Sequence, residues 1–145
     1  MERFFMPPRT GFTGKPEDWL RRAKGNLARA RQKKPKEAFW EDLCFDAQQA
    51  AEKAIKAVLV FRQLEFRKTH DLRELLTLLN SGGDPIPGEI WEAVDLSDYA
   101  VETRYPGVTE PVSEKEYRVA VAMAKTVVGW ADKQIMQKPR RKRKS

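Results

Sequence analysis

The chain has one cysteine, Cys44, and one histidine, His70. An internal disulfide is therefore impossible, and a zinc site made from Cys and His has too few ligands. Long apolar runs are also missing: a stretch such as AVLVF at residues 57–61 falls far short of the roughly 20 residues that a membrane helix needs. The opening MERFFMPPRTG lacks the continuous apolar segment of a signal peptide, so the expectation is a soluble cytoplasmic protein without membrane contact. No nucleophile and base pair, no Gly-rich phosphate loop and no carboxylate cluster at metal-binding spacing stands out, and neither cofactor nor metal is expected. Alternation of polar and apolar residues over a useful length is absent as well, which leaves an all-α protein.

Charge is abundant and unevenly placed. Residues 1–36 hold eleven basic and three acidic side chains, residues 138–145 (KPRRKRKS) six basic and none acidic, and residues 37–137 eleven basic and eighteen acidic. An acidic body thus lies between basic ends. The KPRRKRKS tail starts at a helix-stopping proline region and has no apolar residue, so residues 138–145 are expected to be disordered. Arg140, Arg141, Lys142, Arg143 and Lys144 suit weak, sequence-independent contact with nucleic acid, because each phosphate neutralised releases counterions. The alternative is a solvated tail that only aids solubility.

Helical periodicity fills the remainder. Residues 1–14, rich in Phe, Pro and Gly, read as an irregular arm, and residues 15–137 as one bundle. Pro16 with Glu17 and Asp18 opens a helix carrying Leu20, Ala23, Leu27 and Ala30, expected to stop near Lys34 before Pro35. Trp40, Leu43, Ala47, Ala50, Ala54, Ala57, Phe61 and Leu64 alternate steps of three and four, which predicts one long helix. A second stripe of Cys44, Ala51, Ile55 and Val58 makes its buried arc wide. THDLRELLTLL at residues 69–79 is a short helix capped by Thr69 or Asp71, with Glu74 placed for a capping box with Asp71. NSGGDPIPG at residues 80–88 is a loop, followed by a helix from about Pro87 to Glu102 with Ile90, Val94 and Val101 inward. Ser113 and Glu116 cap the last helix, which carries Tyr117, Val121, Ala124, Val128, Ala131 and Ile135 and ends near Gln137. The sum is an antiparallel bundle of about five helices. The long apolar stripes of the second helix exceed what a small monomer needs, so a homodimer is expected.

Three blocks in order, DLCFDAQQAAEKAIKAVLV (residues 42–60), KTHDLRELL (68–76) and VETRYPG (101–107), resemble the HEPN domain, named for nucleotide binding in higher eukaryotes and prokaryotes. The resemblance spans roughly residues 16–137. It implies a helical bundle that dimerises, nucleotide- or RNA-related work, and a minimal nucleotidyltransferase as partner, in some cases as a toxin–antitoxin pair. Ribonuclease members carry an Arg, four to six intervening residues and a His. Here Arg67 precedes His70 with two residues between and Arg62 with seven, so that linear motif is absent.

Candidate ligand contacts follow from the residues. His70 sits at a helix start, where unsatisfied backbone N–H groups favour an anion, or else it is a simple capping residue. Arg104 and Tyr105 precede a Pro-Gly turn that could aim a guanidinium into a groove, or clamp a helix end. Lys53 and Lys56 share a helix face with Gln49 and Asp46, suited to a phosphate or merely solvated. Tyr99 suits base stacking or core packing, and Cys44 is read as an inert core thiol. The leading expectation is a non-catalytic protein that binds a nucleotide or phosphate-bearing ligand beside a nucleotidyltransferase. The alternatives are a ribonuclease toxin using His70 and Arg104 brought together in space, or a module that only docks another protein.

Overall fold

The computed structural model describes residues 14–83, 85–100 and 111–137. Helix α1 (Pro16–Ala30) begins at its proline and carries Glu17 and Asp18 in the first turn, where carboxylates complement the helix dipole. It stops at Ala30, four residues before the expected end. Beyond Ala30 the segment Arg31, Gln32, Lys33, Lys34 offers no apolar residue to pack, and helical propensity alone does not sustain a turn. Instead the Tyr117 hydroxyl donates to the Ala30 carbonyl at 2.6 Å and the Lys34 amine to the Ala38 carbonyl at 2.8 Å, closing the corner.

Helix α2 (Trp40–Phe61) is the axis of the molecule. Ala47, Ala50, Ala51, Ala54, Ile55, Ala57, Val58 and Leu59 are all completely enclosed, so this helix has almost no solvent face in its second half. Its alanines let neighbouring backbones approach, while Ile55 and Leu59 fill the space between them. Gln63 ends it in a left-handed conformation (φ 61°), and the Leu64 N–H reaches back to the Leu59 carbonyl at 2.9 Å.

Side-chain pairs fix the helix directions. Trp19 lies edge-on to Phe66 and Arg29 pairs with Asp46, so α1 runs antiparallel to α2. The last long helix (Glu114–Asp132) is also antiparallel to α1, since Lys24 meets Asp132 and Tyr117 meets Ala30. Trp40 stacks on Tyr117 at 4.8 Å and Arg62 donates to Gln134 at 2.7 Å, so α2 and this last helix are parallel, the intervening elements returning the chain. A π-helical turn, Lys133–Gln137, finishes it.

Those intervening elements are short. Helix α3 (Leu72–Ser81) buries Leu72, Leu75, Leu76 and Leu79, each worth about 1.5–3 kcal/mol relative to exposure. Gly82 follows it because a Cβ there would lie 2.9 Å from the Leu64 side chain and 3.2 Å from the Leu79 carbonyl. Helix α4 (Gly88–Trp91) makes a single turn and then tightens into a 3-10 helix, Glu92–Ala100, which leaves the Glu114–Asp132 helix as α5. The apolar residues explain the tightening: Ile90, Ala93, Leu96 and Tyr99 recur strictly every third residue, and only three residues per turn keeps them on one side. Val94, expected inward, is only partly covered, and Val101 lies outside the described residues.

Candidate functional site

The middle of α2 carries a polar stripe into the interior. Gln48, Glu52 and Lys56, one turn apart, are 0%, 3% and 3% exposed. Glu52 receives the Lys56 amine at 2.7 Å, the Gln48 amide at 2.9 Å and the Nδ1 of His70 at 2.9 Å. Burial pushes the Glu52 carboxyl up, but the Lys56 charge and the hydrogen bonds from Lys56, Gln48 and His70 outweigh it and hold the group below the ordinary carboxylate range. Lys56 in turn lies 5.8 Å from the Trp19 ring centre and 5.6 Å from that of Phe66, so aromatic faces complete its shell.

His70 is the exposed end of this chain of contacts. Its side chain is 63% exposed although its Nδ1 rests on a carboxylate that is nearly sealed from water. Because an ionised Glu52 can only accept, Nδ1 of the neutral imidazole carries the proton and Nε2 presents its lone pair. The backbone that delivers His70 is tied on both sides. Arg67 forms a two-point pair with Glu74 at 2.7 and 2.8 Å, and the Thr69 hydroxyl accepts from the Asp71 N–H. Asp71 caps α3 by accepting from the N–H groups of Arg73 and Glu74. The capping box expected with Glu74 is therefore half made: Asp71 caps, while the Glu74 carboxylate is spent on Arg67.

A second group of charges adjoins this stripe where α1 crosses α2. The Lys53 amine donates to Asn26 Oδ1 at 2.9 Å, Asn26 donates to Asp46 at 3.4 Å, and Arg29 pairs with Asp46 at 3.0 Å. Burial lowers the Lys53 pKa; Glu52 opposes this, and the charges of Arg22, Lys56 and Arg29 add to it, leaving the amine below its ordinary range. A half-buried amine crowded by cations is a place where an added anion is favoured.

The five expected ligand residues separate into three groups. His70 and Lys53 both reach the surface on either side of the Glu52 stripe. Lys56 is enclosed and salt-bridged, so it acts on the site through Glu52 and not by touching solvent. Arg104 and Tyr105 lie outside the described residues, as do Arg140, Arg141, Lys142, Arg143 and Lys144 of the tail. Sequence reasoning passes over Glu52 and Gln48 as contributors. The available signal is their place on the same side of a helix whose apolar arc already predicts enclosure. Among the described residues no group of three His, Cys, Asp or Glu side chains could hold a metal ion, and no helix is long and apolar enough to cross a membrane.

The same architecture occurs in known proteins. The crystal structure of ST0689, described as an archaeal HEPN homologue, matches with a TM-score of 0.68 and 28% identity over 85% of this chain and 99% of that one. The crystal structure of TT1696 from Thermus thermophilus matches with a TM-score of 0.69 and 26% identity, covering 85% of this chain and all of that one (100%). No curated protein matches the chain significantly. The HEPN domain family model matches residues 16–135, the whole span from the start of α1 into the π-helical turn. With most of its length accounted for in this way, and with the helical bundle that the three sequence blocks imply, the chain belongs to the HEPN domain family.

Proposed function

We propose that this HEPN protein binds a nucleotide or another phosphate-bearing ligand at the surface between Lys53 and His70, and works as the dimeric partner of a minimal nucleotidyltransferase. The observation that carries the ligand reading is the Lys53 amine, half-buried, hydrogen-bonded to Asn26 and crowded by Arg22, Lys56 and Arg29. A phosphate relieves that crowding and accepts a hydrogen bond from the Lys53 amine, while enclosed Lys56 adds only its charge. Calorimetry with a panel of nucleotides, alone and with the product of the neighbouring gene, tests it. Binding that disappears in Lys53→Ala while the fold persists supports the reading; no binding in either setting removes it. Light scattering at micromolar concentration tests the dimer.

A ribonuclease toxin is the second reading, favoured by the Glu52–His70 pair. In this reading Nδ1 is held by the carboxylate, and the exposed Nε2 takes the proton from a ribose 2′-hydroxyl as its oxygen attacks the adjacent phosphorus. The bond from phosphorus to the 5′-oxygen then breaks, the leaving oxygen takes a proton from water, the imidazolium returns its proton to solvent, and a 2′,3′-cyclic phosphate remains. Growth arrest abolished by His70→Ala would favour this chemistry. Intact RNA after long incubation with metal-free protein would count against it.

A further inference from the structure

Away from the Lys53 and His70 surface, the 3-10 helix and the first turns of α5 enclose a cleft of about 310 Å³. Its lining combines apolar Leu96, Tyr99, Ala120, Val119 and Met123 with polar residues that include Asp95. Val119 is 51% exposed, a large apolar side chain left without cover. Asp95 of the lining belongs to a row of carboxylates ordered by the same three-residue rule as the apolar side of the 3-10 helix. Glu92, Asp95 and Asp98 recur every third residue on a helix of three residues per turn, so they stand in one file, with Glu89 one turn earlier. Residues 85–100 contain no basic side chain, and none of these four carboxylates has an ion-pair partner among the described residues.

We infer that this cleft is a docking surface for a basic amphipathic α-helix of a partner protein. The pairing follows from charge and from rise. One turn of 3-10 helix advances about 6 Å, three residues at about 2.0 Å each. An α-helix advances the same about 6 Å over four residues, so Lys or Arg at i, i+4 and i+8 fall opposite Glu92, Asp95 and Asp98 in register. An apolar residue on the adjacent stripe of that helix enters the cleft against Val119 and Met123. Charge complementarity selects the partner and sets its register, and the apolar insertion removes the exposed surface from water. Nucleic acid is repelled by this file, and the lone cation of the lining, Lys115, opposes a basic helix.

The test uses the full-length protein and two labelled helical peptides of identical composition. One bears lysines at i, i+4 and i+8 beside a leucine stripe, and the other has the same lysines scattered around the helix. Fluorescence anisotropy is expected to give the matched peptide at least roughly tenfold tighter binding, the discrimination that charge register confers. Glu92→Lys with Asp95→Lys should abolish that preference with the helical circular dichroism unchanged, Lys115→Glu should tighten it, and Lys53→Ala should leave it untouched. Equal affinity for both peptides, or binding indifferent to the charge reversal, overturns the inference. So does self-association of the free protein that the charge reversal abolishes, since the occupant is then a second copy.

Discussion

Replacing Glu52 with alanine takes away the carboxylate that the Lys56 amine reaches at 2.7 Å and leaves the ammonium where both side chains are 4% exposed. Breaking a buried ion pair from one side costs about 3–5 kcal/mol, because the surviving charge keeps its desolvation penalty and loses its partner. The Trp19 and Phe66 faces near Lys56 are present in both proteins and so do not reduce the difference. Set against a total stability of about 5–15 kcal/mol, the loss is a large share of the whole. Urea titrations followed by circular dichroism, extrapolated linearly to water, measure it. Replacing both partners, Glu52→Leu with Lys56→Met, should recover most of the loss, and a double-mutant cycle should give a coupling above about 2 kcal/mol. The acid limb gives an independent reading. The Glu52 pKa is lowered from 4.5 in the folded state, so its contribution is complete above the unfolded value and is lost as pH falls through the lower folded one. The wild-type protein should therefore lose stability across that acid window more steeply than Glu52→Gln. A loss below about 1 kcal/mol in Glu52→Ala, or a double variant as unstable as the single one, would refute the reasoning.

Lys53 has the opposite linkage: its pKa is lowered on folding, so the charged amine costs stability at neutral pH, and the penalty fades as pH rises from the folded value to the higher unfolded one. Lys53→Met should therefore raise the melting temperature at neutral pH while removing nucleotide binding, read by calorimetry on the same samples. Gly82→Val should destabilise by about 1–3 kcal/mol through overpacking against Leu64 and the Leu79 carbonyl, seen as a lower urea midpoint. Deleting residues 138–145 should abolish weak binding to nucleic acid whose affinity falls with log salt at a slope of roughly −3.5 to −4.5, as about five neutralised phosphates require. The helix content should not change.

How much of this is legible in the sequence differs by element. Helices α2 and α5 announce themselves because their apolar residues step by three and four over many turns and their packing agrees with that period. The 3-10 helix reads as an ordinary helix because Ile90 and Val94 fit a four-residue step, and the competing three-residue set through Ala93 and Leu96 shows its meaning only when it is packed. The end of α1 is expected too late because Pro35 is a visible stop signal, whereas the hydroxyl that closes the helix at Ala30 comes from Tyr117, 87 residues away. The site divides in the same manner. His70 and Lys53 are visible as rare or clustered polar residues, but the enclosure of Lys56 depends on Trp19 and Phe66 arriving from two other segments, which no local pattern contains. Glu52 looks like half of a surface pair at i, i+4 spacing until its neighbours cover it.

Cys44 is completely buried and is the chain's only thiol. A thiol reagent can reach it only when α2 parts from the helices around it, so the natural protein already carries a chemical clock at its centre. The labelling rate in native buffer reports how often the bundle opens, and its dependence on urea separates local fluctuation from global unfolding. Slower labelling on adding a nucleotide or a basic peptide would register either binding event at a position that neither ligand touches.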